Sequence, residues 1–205
     1  MRSGYFAGLQ ELKVDGGKLA PATSAVESTG SALAFPKGIR LVDAADAPAS
    51  LPPLGAAVTL LLVLSRAGAQ PALDSWAVPF AERCAPLAPP PQDTRPPPAA
   101  AACALAQLGL VESSVMSLPL LRRAILRGGG GGAPNEARAK TLRLFHFGDA
   151  APLRRTLTMP NKFAGYVFLL DARGRVRWRG SGVATPAEVV AMHAAADTLI
   201  KEAGA

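Results

Sequence analysis

The stretch Val58 to Leu64 (VTLLLVL) limits the possible folds more than any other part of the chain. It carries no charge and does not alternate apolar with polar residues, the pattern of a strand covered on both faces rather than one with a wet side. Such a strand sits inside a sheet and needs a layer above and below it, so the chain reads as α/β. Extended back to Ala56, the run is still about half of the roughly 20 residues that a membrane-crossing helix needs, and no transmembrane helix is expected.

The rest of the chain supplies the other layers. Ser65-Arg66-Ala67-Gly68 ends the strand. Asp74 and Ser75 then precede Trp76, Phe80 and Cys84, whose four-residue spacing puts them on one helical face, with a kink expected at Pro79. Leu108 to Val111 reads as a second strand, and Leu118 to Leu126 as a helix that Gly128 to Gly132 must end. Thr141 to Phe147 alternates as a strand does, with Leu142, Leu144 and His146 opposite Arg143, Phe145 and Phe147.

Gly165 to Leu170 is an apolar strand, and Asp171-Ala172-Arg173-Gly174 is a hairpin turn. In Arg175 to Arg179 the period-two pattern predicts Val176 and Trp178 on the core face and the three arginines together on the other. Thr185-Pro186-Ala187-Glu188 is an N-cap with a capping box, followed by the apolar stripe Val189, Met192, Ala196, Leu199 and Ile200. This element order is that of a thioredoxin-like α/β sandwich with a central sheet.

Composition matters for the boundaries. The chain of 205 residues holds 20 Gly and 19 Pro, a Gly and Pro share above the roughly one-eighth of average usage. Much of the excess falls outside the expected elements: in residues 1–34, read as a flexible lead-in, in the Pro/Ala-rich insertion 86–102 and in the Gly-rich spacer 128–134. The domain is expected over 35–203. The first thirty-four residues mix Arg2 and Lys13 with Glu11, Asp15 and Glu27, a poor organellar presequence that reads as the stub of a longer precursor.

In redox-active thioredoxins the nucleophilic cysteine lies in the loop after the first core strand, at a helix N-terminus that favours the thiolate. Here that loop carries Ser65 and Arg66 and no thiol. Cys84 falls on the presumed core face, where a small buried hydrophobe is the simpler reading and a peroxidatic or regulatory thiol the alternative. Cys103 has no assigned role. His146 and His193 lack ligand spacing to a Cys or a second His, so packed histidines are expected and no metal or cofactor is. The net charge of +7 is concentrated: Arg138 to Arg179 holds ten basic and two acidic residues. Two readings of the arginine face stay open, a charged edge that deters aggregation and a docking surface. No nucleic-acid-binding motif accompanies the charge.

Asn161-Lys162-Phe163-Ala164-Gly165-Tyr166-Val167-Phe168-Leu169-Leu170-Asp171, then Arg175-Val176-Arg177-Trp178-Arg179-Gly180-Ser181-Gly182-Val183-Ala184-Thr185, resembles the C-terminal signature of the mitochondrial ATPase assembly factor ten family. Phe35-Pro36, Val58 to Leu64 with Ser65, and Trp76 with Pro79-Phe80 are similar to that family's N-terminal half. The resemblance implies a thioredoxin-like assembly chaperone without catalysis, peripheral to the matrix side of the mitochondrial inner membrane. Its implied client is newly made subunit a of the ATP synthase membrane sector, with anionic lipid as a further contact and no nucleic acid. A divergent thioredoxin or peroxiredoxin-type oxidoreductase using Cys84 is the alternative. Candidate partner-binding residues are Asn161, Tyr166, Arg175, Arg177, Trp178, Arg179, Gly180, Gly182 and Thr185. Tyr166 and Trp178 can equally be core, and Gly180 and Gly182 can serve the turn alone.

Overall fold

A computed structural model describes residues 18–19, 21–36, 38–53, 56–84, 103–113, 118–128 and 141–204. Residues 1–17 of the lead-in, the insertion 86–102 except as sequence, and residues 129–134 of the spacer lie outside the described residues.

Eight strands form one sheet: β1 Leu33–Ala34, β2 Leu41–Asp43, β3 Pro48–Ala49, β4 Val58–Leu64, β5 Cys103–Val111, β6 Leu142–Phe147, β7 Tyr166–Asp171 and β8 Arg175–Ser181. Their order across it is β1-β8-β7-β4-β5-β6-β2-β3. The helices are α1 Gln70–Arg83, α2 Pro119–Gly128, α3 Ala151–Thr156 and α4 Pro186–Gly204. β4 is central as its pattern requires, pairing in parallel with β5 and antiparallel with β7. Its alternate side chains enter two separate cores. Val58, Leu60 and Leu62 meet Trp76 and Phe80 of α1 and Met192 and Leu199 of α4, whereas Leu61 and Val63 meet Leu153 of α3 and Met159 on the other face.

Several expectations hold. Pro79 lies inside α1, the turn before β8 uses Gly174 at φ +75, and the backbone N–H of Thr185 donates to Glu188 Oε2 at 2.9 Å to start α4. The strand expected at Leu108 to Val111 is longer, beginning at Cys103, because Cys103 to Gly109 pair residue by residue with β4. An Ala-rich stretch is a weak strand former alone, and the buried parallel neighbour decides it.

The hairpin departs from simple alternation. Leu169 faces Trp178 but Leu170 faces Val176, so Arg177 is the extra residue of a β-bulge. Val176 therefore enters one core and Trp178 the opposite one, correcting the expectation that both share a face.

The segment before β2 also differs from a free lead-in over its described part. Thr23 N–H donates to Arg179 O at 3.0 Å and Glu27 N–H to Arg177 O at 2.7 Å, and Leu33 and Ala34 pair with β8. Residues 21–34 thus cover the outer edge of β8, which would otherwise present unpaired backbone groups. No apolar periodicity announces this strap, since backbone hydrogen bonds rather than side chains make it.

Glu188 fastens the strap to α4: it pairs with Lys18 and accepts the Ala22 N–H at 2.9 Å. Burial alone would raise its carboxyl, but Lys18, the Ala22 N–H and the Thr185 N–H and hydroxyl outweigh it and bring the pKa from 4.5 to about 2. Stability from this group is therefore complete above the ordinary carboxylate range and lost as pH falls through the window from 4.5 toward 2. Denaturation of wild type and Glu188→Gln across that window should show the variant weaker at neutral pH and the gap closing in acid; a constant gap contradicts the assignment.

Candidate functional site

The C-terminal ends of β4, β5 and β6, the start of β7 and the end of β8 meet at one end of the sheet, because Val63 faces Tyr166 and Tyr166 faces Ser181. In open α/β sheets ligands bind outside the carboxyl ends of the parallel strands, where loops diverge and backbone groups are free. A cavity of about 160 Å³ lies there, lined by Ser65, Arg66, Gln70, Gln107, Arg143 and Phe145 among others.

Its floor is a polar pair. Gln107 Nε2 donates to Gln70 Oε1 at 3.0 Å, and Gln70, buried at the start of α1, donates to Asp74 Oδ1 at 2.8 Å. The cations around it rest on aromatic rings: Arg143 lies 5.5 Å from the Phe145 centroid, and Arg66 and Lys162 lie 5.9 and 5.5 Å from that of Phe163. Guanidinium groups at the rim of a mostly apolar hollow suit an apolar side chain with a nearby carboxylate. Among the described residues there is no cluster of three His, Cys, Asp or Glu that could hold a metal.

The adjoining loops are rigidly held. Tyr166 Oη accepts the Asn161 N–H at 2.9 Å and donates to Asn161 O at 3.0 Å, while Asn161 Oδ1 accepts the Phe163 N–H at 2.9 Å. Trp76 Nε1 donates to Gly182 O at 2.7 Å and Ser75 Oγ accepts the Ala184 N–H at 2.8 Å, tying α1 to the loop before α4. A Cβ on Gly180 would stand 3.1 Å from the Trp76 ring and 3.3 Å from that of Trp178, so glycine is what allows the two indoles to meet edge to face at 5.6 Å.

The residues singled out in the sequence therefore divide. Asn161, Tyr166, Trp178, Gly180 and Gly182 are buried and hold this end of the sheet together; Thr185 is exposed, and Arg175 and Arg179 are half-buried. The three arginines do not form one basic face. Arg175 binds Asp171 at 2.7 Å, Arg179 pairs with Glu27, and Arg177, at the bulge and 3% exposed, holds Glu202 with two bonds. Asp171 is buried, which would raise its carboxyl, but the N–H groups of Arg175 and Arg173 and the Arg175 side chain hold it below the usual range. No sequence pattern marks Arg66, Gln70, Gln107 or Arg143 as lining a cavity; the available signal is their place near the ends of β4 to β6.

The histidines are structural. His146 Nδ1 lies 3.0 Å from Arg40 O, and His193 Nε2 lies 3.2 Å from Pro79 O. Cys84 caps the C-terminus of α1, at the opposite end of the helix from the loop where the thiolate is favoured.

This arrangement is a thioredoxin-like fold. The structure is similar to BsSco, a member of the Sco family of cytochrome c oxidase assembly proteins, with a TM-score of 0.51 at 7% identity, covering 83% of this chain and 95% of that one. A putative electron transfer protein from Aquifex aeolicus VF5 scores 0.48 at 15% identity over 80% of this chain and 97% of that one. Peroxiredoxin Q of Xanthomonas campestris scores 0.43 at 16% identity over 87% and 99%. In sequence, residues 141–199, the stretch that includes Asn161 to Thr185, match the family model described as ATP10 protein. Among curated proteins no sequence match was found.

Proposed function

We propose that the protein is a non-catalytic assembly factor of ATP synthase in mitochondria, associated with the inner membrane from the matrix side, and that its client is newly made subunit a. The observation that carries this reading is the match of residues 141–199 to the ATP10 protein family. The loop after β4 agrees with it, having Ser65 and Arg66 where redox members of the fold keep their thiol. Cys84, the thiol of the oxidoreductase alternative, caps the far end of α1, away from that loop.

In this reading the client docks at the cavity end of the sheet. Arg66 and Arg143 meet its acidic groups, the cavity takes an apolar side chain, and exposed Val183 and Thr185 extend the surface. Buried Asn161, Tyr166, Trp178, Gly180 and Gly182 act by positioning that surface. Arg179 lies midway along β8, and Arg175 at its far end beside the hairpin turn.

No helix among the described residues is long and apolar enough to cross a membrane. Contact with anionic lipid fits α2 and the residue before it instead, where Leu118, Leu120 and Leu121 are exposed beside Arg123 and Arg127. Crosslinking in isolated organelles during synthesis of the membrane subunits tests the reading. Capture of subunit a by wild type, reduced about tenfold or more in an Arg66→Glu, Arg143→Glu double variant, is the expected result for a docking site that loses two charge-assisted contacts. Full assembly of ATP synthase in a strain lacking the protein would overturn it.

A further inference from the structure

Cys84 and Cys103 are far apart in function from the cavity but close to each other. Cys84 follows Phe80 by one helical turn and Cys103 shares the strand parity of Leu105, and all four pack against the same core beneath α1. Cys103 pairs with Val58, the first residue of β4, so the cysteines sit at the end of the sheet opposite Leu64 and the cavity. Both thiols are free and half-buried, pack on the same core and face the same Arg83–Asp197 ion pair, and each is the group that most perturbs the other.

We propose that Cys84 and Cys103 are a reversible modification site, forming a disulfide that joins the C-terminus of α1 to the start of β5 by exchange with a low-molecular-weight disulfide. The helix and strand already hold both sulfur-bearing side chains in one layer, so the bond needs no new contact between elements. The contact between the two thiols lowers Cys103 and raises Cys84, so the pair gives up its first proton as a unit, with Cys103 opening the exchange.

The Cys103 thiolate, its proton released to solvent, attacks one sulfur of the small disulfide and expels one small thiolate, leaving a mixed disulfide. Cys84 then loses its proton to solvent, and its sulfur attacks Cys103 Sγ, breaking the mixed bond and expelling the second thiolate. Two protein thiols are oxidised to one disulfide, and one small disulfide is reduced to two thiols that take up the two protons. The couple is stoichiometric: it is a cross-link of this chain, distinct from turnover at the loop after β4.

The test uses the whole chain, folded, with oxidised or reduced glutathione. After oxidised glutathione the intact mass should be lower by two hydrogen atoms, and the titratable thiols should fall from the two that the sequence provides to none. Cleavage at Asp93, which lies between the cysteines, should leave two fragments joined until dithiothreitol is added. In Cys84→Ser the reaction should stop with one glutathione on Cys103. Glutathione retained on the wild-type chain, a disulfide between two chains, or two thiols still titratable would each overturn the proposal.

Discussion

Replacing Trp178 with alanine is expected to cost about 3 to 5 kcal/mol of folding stability, the range for deleting a large aromatic ring from a packed core. The ring is 0% exposed, meets Trp76 edge to face at 5.6 Å and lies against the strand pair on which the hairpin is built. Its Nε1 also donates to Thr23 O at 2.7 Å, so the truncation removes a tether of the N-terminal strap as well as filling volume. Two measurements separate these effects. The denaturant midpoint should fall in Trp178→Ala by the full amount, and in Trp178→Phe by about 1 to 3 kcal/mol, since a ring stays while the Thr23 carbonyl loses its donor. Limited proteolysis should show faster cleavage within residues 21–27 in both variants. An alanine variant within about 1 kcal/mol of wild type would contradict the packing described.

Arg177→Met is the second large effect, expected at about 2 to 4 kcal/mol. Breaking a buried ion pair from one side costs about 3 to 5 kcal/mol when the remaining charge has no other partner. Here the cost is moderated, because Glu202 is 44% exposed and can be rehydrated, and Asp171 keeps Arg175 at 2.7 Å. It remains substantial because Arg177 Nε also donates to Glu27 O at 2.6 Å, and that carbonyl belongs to the strap. Methionine keeps most of the length while removing all the donors. Glu202→Gln is the control: an exposed partner contributes within about 1 kcal/mol, so this variant should unfold close to wild type. Equal losses in both variants would show that the pair, rather than the buried guanidinium and its contact with the strap, carries the energy.

These expectations turn on residues whose types were legible but whose placement was not. The signature from Asn161 to Thr185 stood out in the sequence; its two ends, Asn161 to Tyr166 and Gly180 to Thr185, meet at the cavity end of the sheet, while Asp171 and Arg175 lie at the opposite end. Alternation placed Val176 and Trp178 on one face, yet a single inserted residue, Arg177, sends them to opposite cores. A bulge has no side-chain period of its own, so nothing in a string of residues reveals it. The same shift dissolves the continuous arginine face: Arg175 holds Asp171, Arg179 pairs with Glu27, and Arg177 holds Glu202 while also reaching Asp171 at 3.5 Å.

The cavity end was only partly readable. Ser65 and Arg66 were visible as the occupants of the loop after β4, but Arg143 and Gln107 come from strands far along the chain and converge only through the parallel pairing of β4, β5 and β6. The contact between Cys84 and Cys103 has the same origin. Helix spacing put Cys84 on a core face, but only the pairing that starts β5 at Cys103 brings the second thiol to it.

By itself the sequence determined what is local or periodic: the buried strand Val58 to Leu64, the helix with Trp76 and Phe80, the turn at Gly174, the capping box at Thr185 and the apolar stripe of the last helix. Those follow from side-chain periodicity and backbone preference, which act over a few residues. Tertiary structure decided which arginines are exposed, where the strap lies and which residues from separate strands line the cavity. These depend on strand register and on backbone hydrogen bonds between distant segments, which use groups common to every residue and so leave little mark in the order of side chains.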